Sequence, residues 1–345
     1  MKNREFHIDG LKILASQLIV LHHFATYGPL ADAFGGATPR LSDWFYDYAR
    51  MAVQVFLVLG GFLAARSLAP QGNATLTQPV RLVWQRYLRL VPAFAVALLF
   101  TIASSQLARI WLPADFIPGT PTWREFLAHV TLLNGVLNVD SLSAGVWYVA
   151  IDFQLYALMA MMLWLGRGWA KAGIVGLMLL SLFYFNRNAS FDNWAIYFFG
   201  AYGLGAIAYW AARSSRAGRW LLLFGAVCIA ALVVDFRERI VLALATALLL
   251  GLIQWHTLRG RDLAGELPRS WAKWFRYLSN SSYALFLVHF SVLMLGNAGF
   301  SHLNSTSAIS AGLVLLTCWL VSMSLAMLFV RWVERPLARL GSNGK

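Results

Sequence analysis

Long apolar stretches, separated by short polar segments, follow one another along nearly the whole sequence. Each is close to the roughly 20 residues that an α-helix needs to cross the hydrocarbon core of a membrane. We count about ten of them, at residues 11–27, 51–68, 90–107, 145–166, 171–186, 194–212, 218–234, 238–255, 278–297 and 308–331. The pattern predicts an all-α fold, namely a polytopic helical bundle integral to a membrane, with a single membrane domain over residues 1–345.

The composition supports a membrane protein and excludes an ordinary soluble domain. Hydrophobic residues make up 59% of the chain and charged residues only 12%, which is about half the charged fraction of soluble domains. The formal net charge is +13. Because the basic residues lie scattered near the ends of the predicted helices, they are interpreted as topological anchors that meet anionic lipid, and no nucleic-acid partner is predicted.

The distribution of Lys and Arg predicts which way the helices run. If the N-terminus lies in the cytoplasm, 20 of the 28 Lys and Arg residues fall in cytoplasmic tails and loops, 7 fall outside, and Lys12 stays within the first stretch. Cytoplasmic loops of membrane proteins carry such an excess of positive charge. We therefore expect a multi-pass protein with both termini in the cytoplasm. The cytoplasmic group includes Lys2, Arg4, Arg261 and Lys345.

Lys12 and His23 stand eleven residues apart within the first apolar stretch. On an α-helix, eleven steps of about 100° bring the two side chains to within about 20° of each other, with a rise of about 16 Å. A cation near one membrane surface thus shares a face with an imidazole near the middle of the bilayer. A neutral imidazole can take a proton from a hydroxyl group near pH 7, so His23 is the leading candidate for a general base. A histidine that only hydrogen-bonds a neighbouring helix is the alternative.

Three further side chains are predicted at a similar depth in other helices. Asp152 lies about 10 Å from the start of its apolar stretch, and Tyr156 follows one turn later on the same face. His289 is midway through its own stretch. A carboxylate beside His23 would orient the imidazole and stabilise its protonated form, so Asp152 is the second candidate catalytic residue. Tyr156 and His289 are assigned to a shared polar cavity.

Arg86 and Arg89 predict an anion site on the cytoplasmic side. They are three residues apart, so a helix presents both on one side, and arginine binds phosphate groups through forked hydrogen bonds. Lys12, at the same surface, joins this site; a simple positive-inside anchor is the alternative. Gly60 and Gly61 predict either the close approach of another helix or an unwound turn near a ligand.

The sequence predicts no metal site and contains none of the motifs that we searched for from soluble enzymes. The two cysteines, Cys228 and Cys318, fall in separate predicted helices, and His22-His23 lacks a second ligand pair at metal spacing. We find no P-loop, no GxGxxG and no HExxH.

Six segments of the chain carry recognisable motifs: Lys12 followed by His23, residues 55–62 ending Gly60-Gly61-Phe62, residues 86–92 with the arginine pair before Pro92, residues 147–156 with Asp152, residues 281–289 ending in His289, and Glu334-Arg335-Pro336. In this order along the chain, they resemble the motifs of acyltransferase family 3, a family of membrane-bound O-acyltransferases. Three positions depart from the usual family residues: Lys12 replaces Arg, Gly60 replaces Ser and Asp152 replaces Glu. The departures are compatible with a divergent subfamily that uses another donor or acceptor, or with a loss of activity.

The resemblance implies an enzyme with ten membrane helices that transfers an acyl group, usually acetyl, to a hydroxyl of a cell-envelope or exported glycan. The donor would be cytoplasmic acyl-coenzyme A, with no metal. His23 would be the essential histidine, and Lys12, Arg86 and Arg89 would face the anionic donor. The expected partners are membrane lipid and a glycan or lipid-linked saccharide acceptor, in the bacterial cytoplasmic (inner) membrane.

A second function class stays open from the sequence alone. The alternative is a proton-coupled transporter or flippase of a lipid-linked saccharide, with His23, Asp152 and His289 as a proton relay. The identity of the acceptor, the acyl chain, the choice between direct transfer and an acyl-enzyme, and the oligomeric state are also left open.

Overall fold

The structure is a computed structural model that describes residues 6–72, 76–260 and 269–342, and these residues are helical with short connections and no strand. Four basic residues used to predict the orientation, Lys2, Arg4, Arg261 and Lys345, lie outside the described residues. The helices are α1 (Phe6–Thr26), α2 (Pro29–Ala37), α3 (Pro39–Asp47), α4 (Ala52–Leu68), α5 (Pro79–Ala108), α6 (Trp123–Val130), α7 (Trp147–Gly166), α8 (Ala170–Phe183), α9 (Ala195–Arg213), α10 (Ala217–Val234), α11 (Glu238–Leu258), α12 (Arg269–His302), α13 (Ala308–Phe329) and α14 (Arg335–Ser342), with a π-helical turn at Val330–Glu334.

Within the described part of the chain, eight stretches are long and apolar enough to cross a membrane, judged by length and composition. The predicted class, an all-α integral membrane protein, is confirmed, whereas the ten spans and the cytoplasmic termini stay predictions. One of the eight stretches contains both α7 and α8, and α1, which carries Asp9 and Lys12, is not among them. The eight are Pro39–Leu68, Pro79–Ala108, Trp147–Arg187, Ala195–Arg213, Ala217–Val234, Glu238–Leu258, Trp271–His302 and Ala308–Arg339.

The helices group into two compact units, each assembled from separate parts of the sequence. The first unit consists of Met1–Leu11, Val53–Arg86 and Val149–Pro268, and the second of Lys12–Ala52, Tyr87–Tyr148 and Arg269–Lys345. The predicted single domain over residues 1–345 is not tested by this grouping.

The first unit is built around α9, which contacts α8, α10 and α11. This helix is apolar on all sides, as expected for a helix surrounded by others. Its glycines allow close contact with α4, because a Cβ on Gly205 would overlap the backbone carbonyl of Val58. A Cβ on Gly61 of α4 would in turn overlap the carbonyl of Tyr202. Small residues therefore set the distance between α4 and α9.

The second unit is built around α12, which contacts α13 and α2 and carries a row of buried polar side chains. Ser291 shares a hydrogen bond of 2.9 Å with Thr101 of α5. Asn297 accepts a hydrogen bond from the backbone N–H of Leu30 and donates one to the carbonyl of Tyr27, which fixes the turn between α1 and α2. Polar contacts of this kind are typical of helix packing inside membranes.

The short helix α6 organises the connection between α5 and α7. It begins with a capping box, in which Thr122 and Glu125 each accept a hydrogen bond from the other's backbone N–H. His129, in its last turn, is fully buried, and its Nδ1 donates to the carbonyl of Glu125 at 2.7 Å. Its Nε2 accepts a hydrogen bond of 3.4 Å from the backbone N–H of Leu142. His129 therefore ties the chain after α6 back onto this helix.

Candidate functional site

His23 lies inside the second unit. The helix α1 runs without interruption through Lys12 and His23, so the predicted rise of about 16 Å between them follows from regular helix geometry. His23 is only 6% exposed. Because the imidazole does not lie on a lipid-facing surface, it can serve a buried polar site.

The partner of His23 is His289 of α12. The Nδ1 atom of His23 and the Nε2 atom of His289 are 2.7 Å apart, the ring centroids are 4.9 Å apart, and the ring planes differ by 17°. His289 is fully buried, and its Nδ1 bonds the carbonyl of Leu285 at 2.9 Å. We call His23 and His289 the histidine pair. The sequence placed both side chains at a similar depth, and the structure brings them into direct contact.

The surroundings of His23 leave little free space at one edge of its ring. Gly145 has a φ of +80°, and a Cβ added there would lie 3.2 Å from Cε1 of His23. The ring of Tyr27 stands edge-on to His23 at 5.5 Å between centroids. His22 is directed elsewhere, because its Nδ1 bonds the backbone carbonyl of Phe45 at 3.2 Å.

A second polar cluster lies inside the first unit. Nη2 of Arg86 is 2.5 Å from Oδ2 of Asp152, and the guanidinium carbon lies 4.5 Å from the centroid of the Tyr156 ring. The side chains of Arg86 and Asp152 are 31% and 13% exposed. We call Arg86, Asp152, Tyr156 and Tyr202 the arginine cluster. Asp152 was predicted to orient an imidazole, and its described hydrogen bond is instead to an arginine.

Tyr202 is the member of the arginine cluster that the sequence did not reveal. It is fully buried on α9, and its hydroxyl has no hydrogen-bond partner among the described residues. Tyr202 interacts electrostatically with both Arg86 and Asp152. A Cβ on Gly60 would lie 3.1 Å from both Oδ1 of Asp152 and the ring of Tyr202. The helix α4 is continuous through Gly60 and Gly61, so the glycines serve close helix contact here.

Two of the three positions that depart from the family pattern, Gly60 and Asp152, are neighbours in this cluster. Gly60 replaces the usual Ser and Asp152 replaces the usual Glu, and a Cβ at position 60 would make tight contacts of 3.1 Å with Oδ1 of Asp152 and with the ring of Tyr202. No local pattern in the sequence indicates that these two positions are neighbours.

Lys12, Arg89 and Glu334 are the remaining charged candidates, and all three belong to the second unit. Arg89 is exposed on α5, three residues after Arg86. Glu334 ends the π-helical turn, and its carboxylate interacts electrostatically with Arg89. The nearby Pro336 has no N–H to donate to the carbonyl four residues earlier, which favours such a wide turn. Among the described residues, no group of three His, Cys, Asp or Glu side chains is arranged to hold a metal ion.

Comparison with known proteins agrees with the arrangement of these motifs. Residues 6–330 match a family described as an acyltransferase domain, the acyltransferase family 3. The chain is also 26% identical over 181 residues to the Regulator of hypoxia-inducible factor 1 of Caenorhabditis elegans, in a match that covers 48% of this chain and 36% of that protein. The chain therefore spans little more than a third of that relative's length. No solved structure matches this chain.

The match begins at the first described residue of α1 and ends in the π-helical turn, so it includes the histidine pair and the arginine cluster. Because it covers nearly all of the sequence, the chain belongs to the acyltransferase family 3 of integral membrane proteins.

Proposed function

We propose that the protein transfers an acetyl group from cytoplasmic acetyl-coenzyme A to a hydroxyl group of a cell-envelope or exported glycan. The observation that carries this proposal is the buried histidine pair, in which His23 lies on the same helix as Lys12. A membrane-embedded ionisable group is costly, and it usually marks a functional site. Membership of an acyltransferase family makes acyl transfer the chemistry to test.

His23 is the general base in this proposal. Its imidazole takes the proton of the acceptor hydroxyl while the hydroxyl oxygen attacks the thioester carbonyl carbon of the donor. The carbon–sulfur bond then breaks, and the leaving thiolate receives the proton from the imidazolium. The products are an ester and free coenzyme A. Positioned general-base catalysis contributes about 10²–10⁴-fold to the rate.

Lys12 and Arg89 bind the phosphate groups of the donor. Arg89 is exposed and can offer a forked pair of N–H donors, and Lys12 supplies a positive charge three helical turns from His23. Arg86 was predicted to share this role. We propose instead that Arg86 stabilises the helix contact, because its charge is already balanced by Asp152.

The proposed location is the cytoplasmic membrane of a bacterium, with the donor side in the cytoplasm. The excess of Lys and Arg in the loops assigned to that side supports this orientation. Lys12 would then lie near the donor and His23 near the middle of the bilayer. The acceptor would reach the imidazole from the opposite side.

The experiment uses the purified protein in lipid nanodiscs, supplied with radiolabelled acetyl-coenzyme A and lipid-linked saccharides extracted from the membranes of its source. We expect hydroxylamine-sensitive label in the saccharides and release of free coenzyme A thiol. His23→Ala should abolish both, whereas His22→Asn, which keeps an N–H donor for the Phe45 carbonyl, should retain them.

Two results would overturn the proposal. One is ester formation by folded His23→Ala at the wild-type rate. The other is saccharide movement across proteoliposomes that requires a proton gradient and releases no coenzyme A thiol.

A further inference from the structure

The hydrogen bonds of His289 determine which of its nitrogens carries a proton. A backbone carbonyl can only accept a hydrogen bond, so Nδ1 of His289, 2.9 Å from the carbonyl of Leu285, must be protonated. In a neutral imidazole only one nitrogen is protonated. The Nε2 atom of His289 therefore offers a lone pair towards His23.

The geometry of the histidine pair fits a straight N–H···N hydrogen bond. Two imidazoles joined edge to edge by a bond of normal length have centroids about 5 Å apart. The observed centroid distance is 4.9 Å, with an interplanar angle of 17° and an N···N distance of 2.7 Å. The two rings are thus nearly coplanar, and the lone pair of His289 faces Nδ1 of His23.

We propose that His289 is a positioning residue, which holds His23 in the Nδ1–H tautomer so that Nε2 is the reactive atom of the site. The inference rests on the proposed acyl transfer, because that reaction gives the tautomer its role. The tautomer itself can be measured without the reaction. Without a fixed partner, either nitrogen of His23 can carry the proton. With His289 as an acceptor, the lone pair of His23 always lies on the far side of the ring.

This tautomer is the one that the proposed reaction requires. When Nε2 takes the proton of the acceptor hydroxyl, His23 becomes an imidazolium whose Nδ1–H still donates to His289. When Nε2 returns that proton to the leaving thiolate, the starting tautomer is restored, and His289 is neutral throughout. The opposite tautomer would direct an N–H at the hydroxyl and could not accept its proton.

The residues around His23 help to keep the ring in this orientation. Gly145 lies against Cε1, and Tyr27 contacts the ring edge-on. A half-turn of the ring would replace Nδ1 by a carbon atom opposite His289 and break the hydrogen bond. The buried Nε2 of His289 would then have no donor, which costs about 1–3 kcal/mol.

The test observes the tautomer directly by ¹⁵N NMR of histidine-labelled protein in nanodiscs, without substrates. The His23 signals are assigned by their loss in His23→Asn. We expect a protonated Nδ1 and an unprotonated Nε2 in His23, and a ¹⁵N–¹⁵N coupling between Nδ1 of His23 and Nε2 of His289. A His23 protonated at Nε2 in the wild-type protein would overturn the inference.

Three variants connect the tautomer with the rate. His289→Gln can place an amide oxygen where Nε2 was, so it should keep the Nδ1–H form and stay within about tenfold of the wild-type kcat. His289→Ala should lose the Nδ1–H form and lower kcat by about 10²-fold or more, with the KM for acetyl-coenzyme A unchanged. His302→Gln, an exposed histidine on the same helix, is the matched control and should change neither.

The outcomes separate this inference from the proposed function. If His23 is protonated at Nδ1 but the wild-type protein transfers no acetyl group, the proposed function fails and the assignment of His289 stands. If transfer occurs and His289→Ala keeps both the tautomer and the rate, the inference about His289 fails alone.

Discussion

Arg86 and Asp152 form an ion pair of 2.5 Å between α5 and α7, and Asp152 is among the buried charged residues of the first unit. The guanidinium also stacks over Tyr156. A charge removed from water in this way is tolerated only because its partner is present. The pair therefore couples two helices that are distant in the sequence.

Removing one partner of this pair should destabilise the protein strongly. We expect Asp152→Asn or Arg86→Met to lower the free energy of unfolding by about 3 kcal/mol. This value is at the lower end of the range for buried ion pairs, because Arg86 is partly exposed. The double variant Arg86→Met with Asp152→Leu should recover most of the loss. The measurement is chemical unfolding in detergent micelles.

The matched control is the exposed pair of Arg187 and Asp235. Their side chains are 42% and 38% exposed, with an N···O distance of 3.2 Å. Because Asp235 also lies 3.4 Å from the largely buried Arg237, the control removes Arg187. Since exposed pairs contribute about 0–1 kcal/mol, Arg187→Gln should have little effect. Equal losses in the two pairs would contradict the importance of burial for Arg86 and Asp152.

The sequence predicted the fold class and the placement of Lys12 and His23 on one helix because both depend on local patterns. Helical spacing alone relates Lys12 to His23, and the length and hydropathy of the apolar stretches indicate membrane helices. The same patterns do not determine the number of spans. The short helix α8 is counted in one stretch with α7, and α1, which carries Asp9 and Lys12, is not among the eight stretches.

The partners of the candidate residues could not be predicted from the sequence, because they depend on which helices are in contact. Similar depth suggested a site shared by His23, Asp152 and His289, and two of these three are in direct contact. The bond between Asp152 and Arg86 joins positions 66 residues apart, and no local pattern predicts it. Tyr202 lies in a stretch rich in glycine and alanine, and no local pattern in that stretch marks a polar cluster.

Tyr202→Phe should stabilise the protein slightly. The hydroxyl is buried without a hydrogen-bond partner among the described residues, so its removal relieves a desolvation cost of about 1 kcal/mol. The control is Tyr209→Phe on the same helix, where the hydroxyl donates to the carbonyl of Pro70 and its loss should cost about 0.5–1.5 kcal/mol. A clear loss of stability in Tyr202→Phe would mean that the hydroxyl has a partner, such as a buried water.

Gly61→Ala should prevent the close contact between α4 and α9. The added Cβ would overlap the backbone carbonyl of Tyr202, which cannot rotate away as a side chain can. We expect a loss of more than about 3 kcal/mol or a failure to accumulate in membranes. Gly176→Ala on α8 is the control, because no atom lies within 4 Å of its added Cβ. Comparable yields of the two variants would contradict the packing argument.

The connection around His129 should weaken in acid. Burial lowers the pKa of His129 from its usual value of 6.5, so the folded state prefers the neutral ring and the unfolded segment binds a proton more readily. The stabilisation is therefore complete above about pH 6.5 and is lost as the pH falls through the lower pKa of the folded state. Amide hydrogen exchange over residues 122–142 should accelerate at pH 5.5 relative to pH 7.5, after correction for intrinsic rates.

The control for this effect is His129→Asn, which keeps an N–H donor for the Glu125 carbonyl but does not titrate. Its exchange over the same residues should not depend on pH beyond the intrinsic correction. Identical acid acceleration in both proteins would assign the effect to another group.

Arg89→Ala should weaken donor binding without slowing the chemical step. If Arg89 binds a donor phosphate through charge-assisted hydrogen bonds, its loss costs about 1.5–3 kcal/mol, which corresponds to a KM for acetyl-coenzyme A that is roughly 10–100-fold higher. The kcat should stay unchanged, because this contact is the same in the ground state and the transition state. Arg81→Ala, an exposed arginine on the same helix, is the matched control and should leave KM unchanged.

We expect Glu334→Gln to change the KM for acetyl-coenzyme A in the opposite direction from Arg89→Ala. The carboxylate of Glu334 interacts electrostatically with Arg89 and opposes the approach of an anion. Its neutralisation should therefore lower the KM for acetyl-coenzyme A, and the effect should disappear in the double variant with Arg89→Ala, because the two side chains act on the same phosphate. An equal effect of Glu334→Gln with and without Arg89 would show that the carboxylate acts through a different group.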